Sequence, residues 1–515
     1  SQLLATLAPL TIYLLHGHPL AHPRSFLFMA MVCAVFFASA PKKWLIRFSW
    51  LQLLFFPLTL FWLGTIATTG STPSIVLLGS ALTSTSHEIK QALLMTLMDI
   101  PFLAIGITSL IFILLTLRLC HQTAQHSRIH SWWFNLSFII LLITAGGSQA
   151  NIKPIKNAIP IETTSAIPVL FNIDFSKEGF RLWLNYLTLG RVDAGVAMRN
   201  ADLAPKLFSQ RHLLSMFIIG ESLRNDAFIK PERGPYSPAL LARVKKGLGV
   251  IFPDVCAYSN ATFLSVPRLV TAANTDDEYK AQQGVTILAL AKAAGANTLY
   301  ISNHPDLVVK EKGHETISTS TMNVPADDAV TVTVLQDFIT RHQNQPTAAL
   351  IHLFGQHFPY QERYPENLFP TTPSTIKKEE QEELEYQYAA EYGNKVLLDF
   401  ATLLDKQEMP AFLVFTPDHG ENLVSDGTGK KFHAGSTLGQ HDTRVPAVIL
   451  WNKPFQESGW LADIQPLLNA KTLLAHQDIA NAWLTLNGMP HVLSITSNPM
   501  TWGNTGATSC QTLPP

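Results

Sequence analysis

Charged residues are scarce in this 515-residue chain. Asp, Glu, Lys and Arg make up 15% of it, whereas soluble globular proteins carry roughly 25%. This shortage argues against a uniformly soluble enzyme. The signs also balance, with 37 Lys and Arg against 38 Asp and Glu, so the chain lacks the basic field of a nucleic-acid-binding protein and the acidic excess of a disordered tail. We therefore expect no nucleic-acid partner.

The hydrophobic residues are concentrated before residue 150. Several apolar runs there approach the ~20 residues that cross a bilayer. They are Leu3–Leu15, Phe26–Ala40, Leu45–Ile66, Ile100–Leu117 and Trp132–Ala145. A single run of about 15 apolar residues is more often a core helix or a signal segment. Five in succession predict a transmembrane domain of about five helices over residues 1–147.

Basic residues between these runs predict the orientation of the bundle. They cluster at the second and fourth connections, which the positive-inside rule places in the cytoplasm. These residues are Lys42, Lys43 and Arg47, then Arg118 and Arg128. The chain after residue 147 then lies outside the membrane. The sequence predicts a multi-pass inner-membrane protein with its catalytic domain in the periplasm of a diderm bacterium.

Cysteine is rare as well, with four residues in the whole chain. Cys33 and Cys120 fall in or beside the predicted spans, which leaves Cys256 and Cys510 in the exported part. An oxidising compartment permits a disulfide, but the sequence does not establish that these two cysteines pair.

The rest of the chain predicts an α/β domain. Residues 148–205 form a bridging segment near the membrane surface, and residues 206–515 a catalytic domain. Short runs rich in β-branched and aromatic residues alternate there with helical stretches, which predicts a mainly parallel sheet flanked by helices. The runs are Leu213–Ile219, Asn297–Ile301, Ala348–Phe354, Ala411–Phe415 and Ala447–Trp451.

Polar side chains follow several of these predicted strands. Glu221 follows the first, the third carries His352 and leads into His357, and Asp418 and His419 follow the fourth. Ligands of such sheets bind beyond the carboxyl ends of the strands. Asp, Glu and His together suit Zn²⁺. Each signal alone is weak, since Gly-Glu-Ser is more often a helix cap, but their coincidence predicts a metal site.

Several short motifs occur in a fixed order between about residues 210 and 450. They are Gly220-Glu221-Ser222-Leu223-Arg224, Ser259-Asn260-Ala261-Thr262-Phe263-Leu264-Ser265-Val266-Pro267, His352-x-x-Gly355-x-His357, Arg363-Tyr364-Pro365, Tyr392-x-Asn394-x-Val396, Asp418-His419-Gly420-Glu421-Asn422, His433 and Val445-Pro446. In order and spacing they resemble the phosphoethanolamine transferases of the alkaline phosphatase/sulfatase superfamily, the group that includes the lipid A modifying enzymes of colistin resistance. The resemblance implies an alkaline phosphatase/sulfatase-like fold behind five membrane spans.

The resemblance also implies a metal set and a nucleophile. Thr262 matches the position of the family's nucleophile, and Glu221, Asp418 and His419 match its zinc ligands, with the Thr262 oxygen completing the coordination. One zinc ion is expected, and a second stays open. Zinc favours the alkoxide of a coordinated alcohol, which is otherwise a poor nucleophile at neutral pH. Ser222 is the competing nucleophile, although we expect it to cap the following helix.

Further residues are implied as substrate contacts. His357 and His433 match histidines around the phosphate, where they bind substrate, exchange protons or hold the second zinc. Arg224 and Glu88 are predicted to bind substrate, but for Arg224, as for His352, a structural ion pair or core hydrogen bond fits as well.

Three other polar residues have weaker signals. His441 and Asp442 form a metal-like pair that we expect to be structural or to face the acceptor, and His304 is typical of a hydrogen-bonding loop histidine.

Three departures from the family pattern bear on specificity. Near the position of Arg268, relatives carry a cysteine that forms a disulfide with a second cysteine just before the nucleophile. After His357, Phe358-Pro359 replaces the Gly-Pro of relatives. In the loop from Thr83 to Glu88, only Glu88 matches an element that contacts the lipid donor in relatives. We therefore expect changed headgroup contacts.

The expected reaction moves phosphoethanolamine from phosphatidylethanolamine to a cell-envelope glycolipid or glycan, with lipid A or the lipopolysaccharide core preferred. It proceeds through a covalent phosphothreonine-type intermediate on a monomer that contacts the lipid bilayer. A modified lipid A would bind cationic peptides such as polymyxin less well. The alternatives are a glycerol-phosphate transferase, a phosphodiesterase or sulfatase of the same superfamily, and a non-catalytic membrane scaffold. A sulfatase needs Cys/Ser-x-Pro-x-Arg, which Ser265-Val266-Pro267-Arg268-Leu269 lacks.

Overall fold

The computed structural model describes residues 40–54, 100–122 and 211–489, with gaps at 272–284, 305–311, 321–324, 374, 429–430, 435–437 and 471–472, and the single positions 31, 35, 60, 90 and 136. By their contacts these residues group into two units. We call them the N-terminal unit, which comprises the described residues before 83, from 89 to 192 and from 426 to 437, and the sheet unit, which comprises the others. The predicted bridging segment 148–205 lies outside the described residues.

Two packed helices represent the N-terminal unit. They are α1 (Lys42–Leu54) and α2 (Ile100–Gln122), and Ile113 and Leu117 of α2 are buried against α1. Four large apolar side chains of α2 are exposed, namely Ile107, Ile111, Leu114 and Leu115. Within the part of the chain that is described, no helix combines the length and the hydropathy needed to cross a membrane. The five-helix transmembrane domain therefore stays a prediction.

The sheet unit is built on one eight-stranded sheet with the order β4-β3-β5-β1-β6-β7-β2-β8. Its strands are β1 (Leu214–Gly220), β2 (Gly249–Cys256), β3 (Asn297–Ser302), β4 (Glu315–Ser318), β5 (Thr347–His352), β6 (Ala411–Pro417), β7 (Arg444–Trp451) and β8 (Leu474–Ala475). The central strands β1, β5 and β6 are mainly apolar and are buried along their whole length. Helices must therefore cover both faces, as in α/β proteins.

Strand direction decides which ends of the strands meet. β1 is parallel to β5 and β6, and β3 is parallel to β4 and β5. β7 is antiparallel to both of its neighbours, β6 and β2. β2 consequently runs in the same direction as β6. The carboxyl ends of β1, β5, β6 and β2 therefore lie along one edge of the sheet, and the amino end of β7 lies between the last two.

Helices flank this sheet, and two apolar cores fill the space beneath them. They are α3 (Asn225–Phe228), α4 (Tyr236–Lys245), α5 (Thr262–Thr271), α6 (Ile287–Ala293), α7 (Ala329–Arg341), α8 (Lys378–Asp405), α9 (Gln440–Thr443), α10 (Lys453–Glu457), α11 (Gln465–Leu468) and α12 (His476–Leu486). One core contains Phe217 of β1 and Trp483 of α12, and the other contains Met216 of β1 and Phe400 of α8. Alternate residues of β1 thus face opposite layers, which fixes its register.

All five predicted strands are present in the sheet. The third ends earlier than expected, because β5 stops at His352 and Leu353 and Phe354 belong to the following loop. The sequence did not predict β2, which contains the exposed Pro253 and a register shift between Phe252 and Val255. The strand pattern in the sequence is weak there because proline is unusual within a central strand.

Candidate metal centre and nucleophile

The strand ends of β1 and β6 bring three titratable side chains together. The two strands are hydrogen-bonded neighbours, and Gly220 pairs with Pro417 at their carboxyl ends. Glu221 follows the first strand, and Asp418 and His419 follow the second, so all three project from one point of the sheet edge. Each is fully buried. We call Glu221, Asp418 and His419 the strand-end group.

The distances within this group are short. His419 Nε2 lies 3.3 Å from Glu221 Oε1 and 3.4 Å from Asp418 Oδ2. Thr262, the first residue of α5, contacts this group. Its Oγ1 lies 3.2 Å from Glu221 Oε2 and 3.2 Å from His419 Nε2. The four residues that the sequence predicts as zinc ligands are thus brought together, and a hydroxyl stands in contact with an acid and an imidazole.

The turn that carries Glu221 is held from α8. Ser222 has a φ of +57°, a left-handed conformation that non-glycine residues seldom adopt. The Tyr386 hydroxyl donates to Ser222 O at 2.6 Å and accepts from Arg224 N at 2.9 Å. One phenol therefore spans the strained turn. Since nothing in the sequence pairs Tyr386 with this turn, our predictions did not include it.

Ser222 does not cap the following helix as expected. The residue before α3 is Arg224, and no side chain caps that helix. The Ser222 hydroxyl instead donates to Glu221 Oε1 at 2.9 Å and is fully buried. The predicted cap is wrong because the strained turn points Ser222 back toward the acid.

Two glycines make room for the site. A Cβ on Gly355, whose φ is +50°, would lie 2.7 Å from the backbone N and O of Glu221. A Cβ on Gly420 would lie 2.0 Å from His441 O. These positions require glycine because backbone atoms, which cannot rotate away, occupy the space of a side chain.

The hydrogen bonds fit a metal ion. His419 Nδ1 lies 2.8 Å from Gly420 O and donates its proton to that carbonyl, so Nε2 is the nitrogen that faces the site and would coordinate a metal once it is deprotonated. Asp418 Oδ1 accepts from the backbone N–H groups of Ser222 and His419. Its other oxygen, Oδ2, is buried without a hydrogen-bond partner among the described residues. A buried carboxylate oxygen beside an imidazole nitrogen is a donor set that suits Zn²⁺.

The pKa shifts within the strand-end group indicate that its two carboxylates favour a positive charge beside them. Burial lowers the pKa of His419, but Asp418 and Glu221 outweigh this and raise the pKa to about 10. Burial and the charge of Glu221 raise the pKa of Asp418 to about 6. Burial raises the pKa of Glu221, whereas His419 and His352 lower it more strongly, to well below its usual range. Two acids thus retain a proton on the imidazole between them, and a divalent cation would satisfy the same charge.

The predicted phosphate histidine His357 lies after β5. Its Nδ1 lies 2.9 Å from Phe358 O and its ring stacks on Phe354. Its charge contributes to the lowered pKa of Glu221. His352 is fully buried with Nε2 3.8 Å from Glu221 Oε2, and His304 stacks on its ring at 5.2 Å.

The other three predicted substrate residues are Arg224, His433 and Glu88. Arg224 forms a bidentate ion pair with Asp226, with distances of 2.7 and 2.5 Å. His433 belongs to the segment 426–437 of the N-terminal unit, and Glu88 lies outside the described residues. The substrate roles of these residues stay predictions. Cys256 is disulfide-bonded.

A model of the family described as Sulfatase matches residues 215–489, which is more than half of the 515-residue chain. The chain belongs to the sulfatase family. The predicted membership of the alkaline phosphatase/sulfatase superfamily is thereby confirmed, and the strand-end group and Thr262 all lie inside the matched region.

Two relatives of this sulfatase-family chain are informative. The phosphoethanolamine transferase EptA of Helicobacter pylori is 22% identical over 288 residues, which cover 52% of this chain and 53% of that protein. The match thus spans about half the length of that relative. The integral membrane protein lipooligosaccharide phosphoethanolamine transferase A (EptA) from Neisseria meningitidis superposes with a TM-score of 0.65 at 17% identity, and 95% of each chain is covered. At this identity the likeness establishes the fold, and the expected alkaline phosphatase/sulfatase-like α/β fold is confirmed.

Proposed function

We propose that this chain transfers phosphoethanolamine from phosphatidylethanolamine to a cell-envelope glycolipid, with lipid A or the lipopolysaccharide core as the preferred acceptor. One observation carries the proposal. The Thr262 hydroxyl lies 3.2 Å from both the Glu221 carboxylate and the His419 imidazole, at the carboxyl edge of a sulfatase-family sheet. A nucleophile in contact with an acid and a base that themselves fit a metal is the arrangement of a phosphoryl-transfer enzyme.

The proposed metal is zinc, held by Glu221, Asp418, His419 and the Thr262 oxygen. A bound zinc ion lowers the pKa of a coordinated hydroxyl and so supplies the alkoxide character that threonine lacks at neutral pH. The chain's own residues set the rest. Gly420 O fixes the tautomer of His419, and the Ser222 and His419 amides orient Asp418.

The covalent chemistry proceeds in two steps at Thr262. In the first, Thr262 Oγ forms a bond to the donor's phosphorus, and the bond to the diacylglycerol oxygen breaks, so that diacylglycerol leaves after taking up a proton. In the second, an acceptor hydroxyl or phosphate oxygen attacks the same phosphorus and Thr262 Oγ leaves. We assign the proton transfers and the contacts with the phosphate to His357 and His433.

A threonine nucleophile also separates this proposal from sulfate-ester hydrolysis. Formylglycine arises from Cys or Ser, whereas residue 262 is Thr. The names of the two relatives, both phosphoethanolamine transferases, support the proposed donor chemistry.

We further propose that the N-terminal unit anchors the chain in the bacterial inner membrane, with the sheet unit in the periplasm. The exposed apolar side chains of α2 at 107, 111, 114 and 115 support lipid contact. So does the likeness in fold to the Neisseria relative, which is an integral membrane protein. This location would bring the enzyme to its lipid donor.

Intact-protein and peptide mass spectrometry test the proposal. The full chain, zinc-loaded in detergent, is incubated with phosphatidylethanolamine, and the mass of the peptide containing Thr262 is measured. We expect one phosphoethanolamine on Thr262 and release of diacylglycerol, with neither in the Thr262→Ala variant. Zinc-loaded protein that releases no diacylglycerol and carries no adduct would refute the proposed donor.

A further inference from the structure

A buried carboxylate links the chain segment of the proposed nucleophile to that of two proposed metal ligands. Asp442, in the short helix α9, is 1% exposed. Its Oδ2 accepts from Asn260 Nδ2 at 3.0 Å and from Asn422 Nδ2 at 3.3 Å, and its Oδ1 accepts from Gly439 N at 2.6 Å. Asn260 precedes Thr262 by two residues, and Asn422 ends the segment that begins with Asp418. One carboxylate therefore joins the segment of the nucleophile to the segment of two metal ligands.

The sheet topology explains why Asp442 can do this. Its helix leads directly into β7, whose amino end lies between the carboxyl ends of β6 and β2. We call Asp418–Asn422, which follows β6, the metal loop, and Asn260–Thr262, which follows β2, the nucleophile turn. The two segments are not on adjacent strands. The helix that begins with Thr262 reaches the metal loop directly, since Ser265 Oγ donates to Asp418 O at 2.5 Å. The start of β7 adds further links between the two segments.

Backbone hydrogen bonds make the start of β7 a rigid base for this link. Gly420 N donates to Asp442 O at 3.1 Å, and Glu421 N donates to His441 O at 2.9 Å. On the other side, Ala257 N donates to Thr443 O at 2.9 Å. The backbone of residues 441–443 is therefore hydrogen-bonded to both neighbouring segments, and the Asp442 side chain adds a contact with Asn260, two residues before Thr262.

The chemistry of the link favours a carboxylate. A single oxygen of Asp442 receives N–H groups from two side-chain amides, and ionised oxygens accept such bonds more strongly than neutral ones. An amide at this position would direct two N–H groups at each other, or would turn and face Gly439 N with its own N–H. A carboxylate at position 442 therefore accepts all three hydrogen bonds, from Asn260, Asn422 and Gly439, which an amide cannot do.

We infer that Asp442 is a positioning residue that sets the distance between Thr262 and the strand-end group. This inference rests on the proposed function, since it assigns Asp442 a part in the attack by Thr262. Asp442 touches neither the reacting atoms nor the metal ligands' donor atoms in this arrangement. Its loss should slow the chemical step and leave the zinc affinity, which the strand-end group supplies, largely in place.

A swap of the two hydrogen-bonding partners tests the inference. The full-length protein is prepared as Asp442→Asn, Asn260→Asp and the double variant, because the double variant restores one amide-to-carboxylate bond with its direction reversed. Zinc content is measured by elemental analysis. The rate of phosphoethanolamine attachment to Thr262 is measured in a single turnover with phosphatidylethanolamine micelles. Asn260→Ala serves as a milder variant, in which the bond is removed without two like groups facing each other.

We expect the Asp442→Asn and Asn260→Asp variants to bind one zinc and to form the adduct about 10- to 100-fold more slowly, as small displacements of reacting groups do. The double variant should recover part of the lost rate, because it restores the bond to residue 260 but not the one to Asn422, and this recovery shows coupling between positions 260 and 442. Asn260→Ala should be slowed with its zinc content unchanged.

Several outcomes would overturn the inference. Normal rates in the single variants or in Asn260→Ala would show that the link does not position Thr262. Loss of zinc together with activity, without recovery in the double variant, would show a merely structural role. A wild-type protein that retains zinc and forms no adduct would instead refute the proposed function, and the inference with it.

Discussion

The two halves of the site reach the same point by different routes. Glu221, Asp418 and His419 come from β1 and β6, which are adjacent and parallel, so the sheet itself places them side by side. Thr262 follows β2, which is separated from β6 by the antiparallel β7. Neighbouring strand ends thus supply the proposed metal ligands, whereas the position of the proposed nucleophile depends on loops that reach across a strand. We expect changes in the first half to abolish metal binding and changes at the crossing to alter geometry.

Asp418→Ala is the strongest test of the half of the site that the adjacent strands β1 and β6 supply. This change removes the carboxylate whose Oδ2 is buried without a hydrogen-bond partner in the described part of the chain. We expect zinc affinity to fall at least about 100-fold, because loss of an outer-shell partner alone costs 10- to 100-fold. Competition with a chromophoric chelator measures the affinity.

Asp399→Ala is the matched control. Asp399 forms an i,i+4 ion pair with Lys395 on α8 and is partly exposed, so its variant should bind zinc normally. Equal zinc affinity in Asp418→Ala and Asp399→Ala would show that Asp418 does not bind the metal.

The pH dependence of stability probes the charges of the same half. In the zinc-free protein, the pKa of His419 is raised to about 10 from an ordinary value of 6.5. The stabilisation from its proton is therefore complete below pH 6.5 and is lost as the pH rises through 10. The thermal midpoint of the zinc-free chain should fall across this range.

Zinc and a variant both serve as controls for that pH profile. Zinc binding requires neutral His419, so metal-loaded protein should lack this decline. His419→Gln should flatten the profile of the zinc-free chain. A zinc-free wild-type protein whose midpoint is constant from pH 6.5 to 10 would contradict the charge account.

Gly420→Ala tests the joint between the two halves. The new Cβ would lie 2.0 Å from His441 O, so the metal loop must move away from the start of β7. Overpacking of this kind typically costs 1–3 kcal/mol, and we expect about 3 kcal/mol here because the obstacle is backbone. The unfolding free energy of the zinc-free protein measures it.

Gly295→Ala provides the comparison for that variant. Gly295 has a φ of +105° and nothing within 4 Å of an added Cβ, so its variant bears the conformational cost without a clash, about 1–2 kcal/mol. A smaller loss for Gly420→Ala than for Gly295→Ala would argue against a tight joint.

The smallest expected effect concerns the support behind Glu221. Tyr386→Phe removes the hydroxyl that joins Ser222 O to Arg224 N. We expect about tenfold weaker zinc binding, in the range for lost outer-shell contacts. Tyr388→Phe, on the same helix and packed against Phe369, should bind zinc as the wild type does. Unchanged affinity in Tyr386→Phe would show that the strained turn holds its shape without the phenol.

The sequence predicted the two halves unequally, for physical reasons. Mainly apolar runs followed by polar residues placed Glu221, Asp418 and His419 at one sheet edge, since adjacent parallel strands align their ends. Thr262 was assigned through the family resemblance, because exposed Pro253 and a register shift obscured β2. The roles of Tyr386 and Asp442 at the turn and the crossing arise from hydrogen bonds between residues about 160 to 180 positions apart. Such pairings leave no periodic or local signal, and Ser222 was misassigned as a cap because its strained φ is likewise a tertiary effect.

The central claim is that both halves meet on one metal ion, and anomalous diffraction at the zinc edge tests it most directly. Crystals of the full zinc-loaded chain should show a peak about 2.0–2.2 Å from a carboxylate oxygen of Glu221 and of Asp418 and from His419 Nε2, with Thr262 Oγ completing the coordination. A peak bound by other residues, or one held by the strand-end group with Thr262 out of reach, would contradict the account.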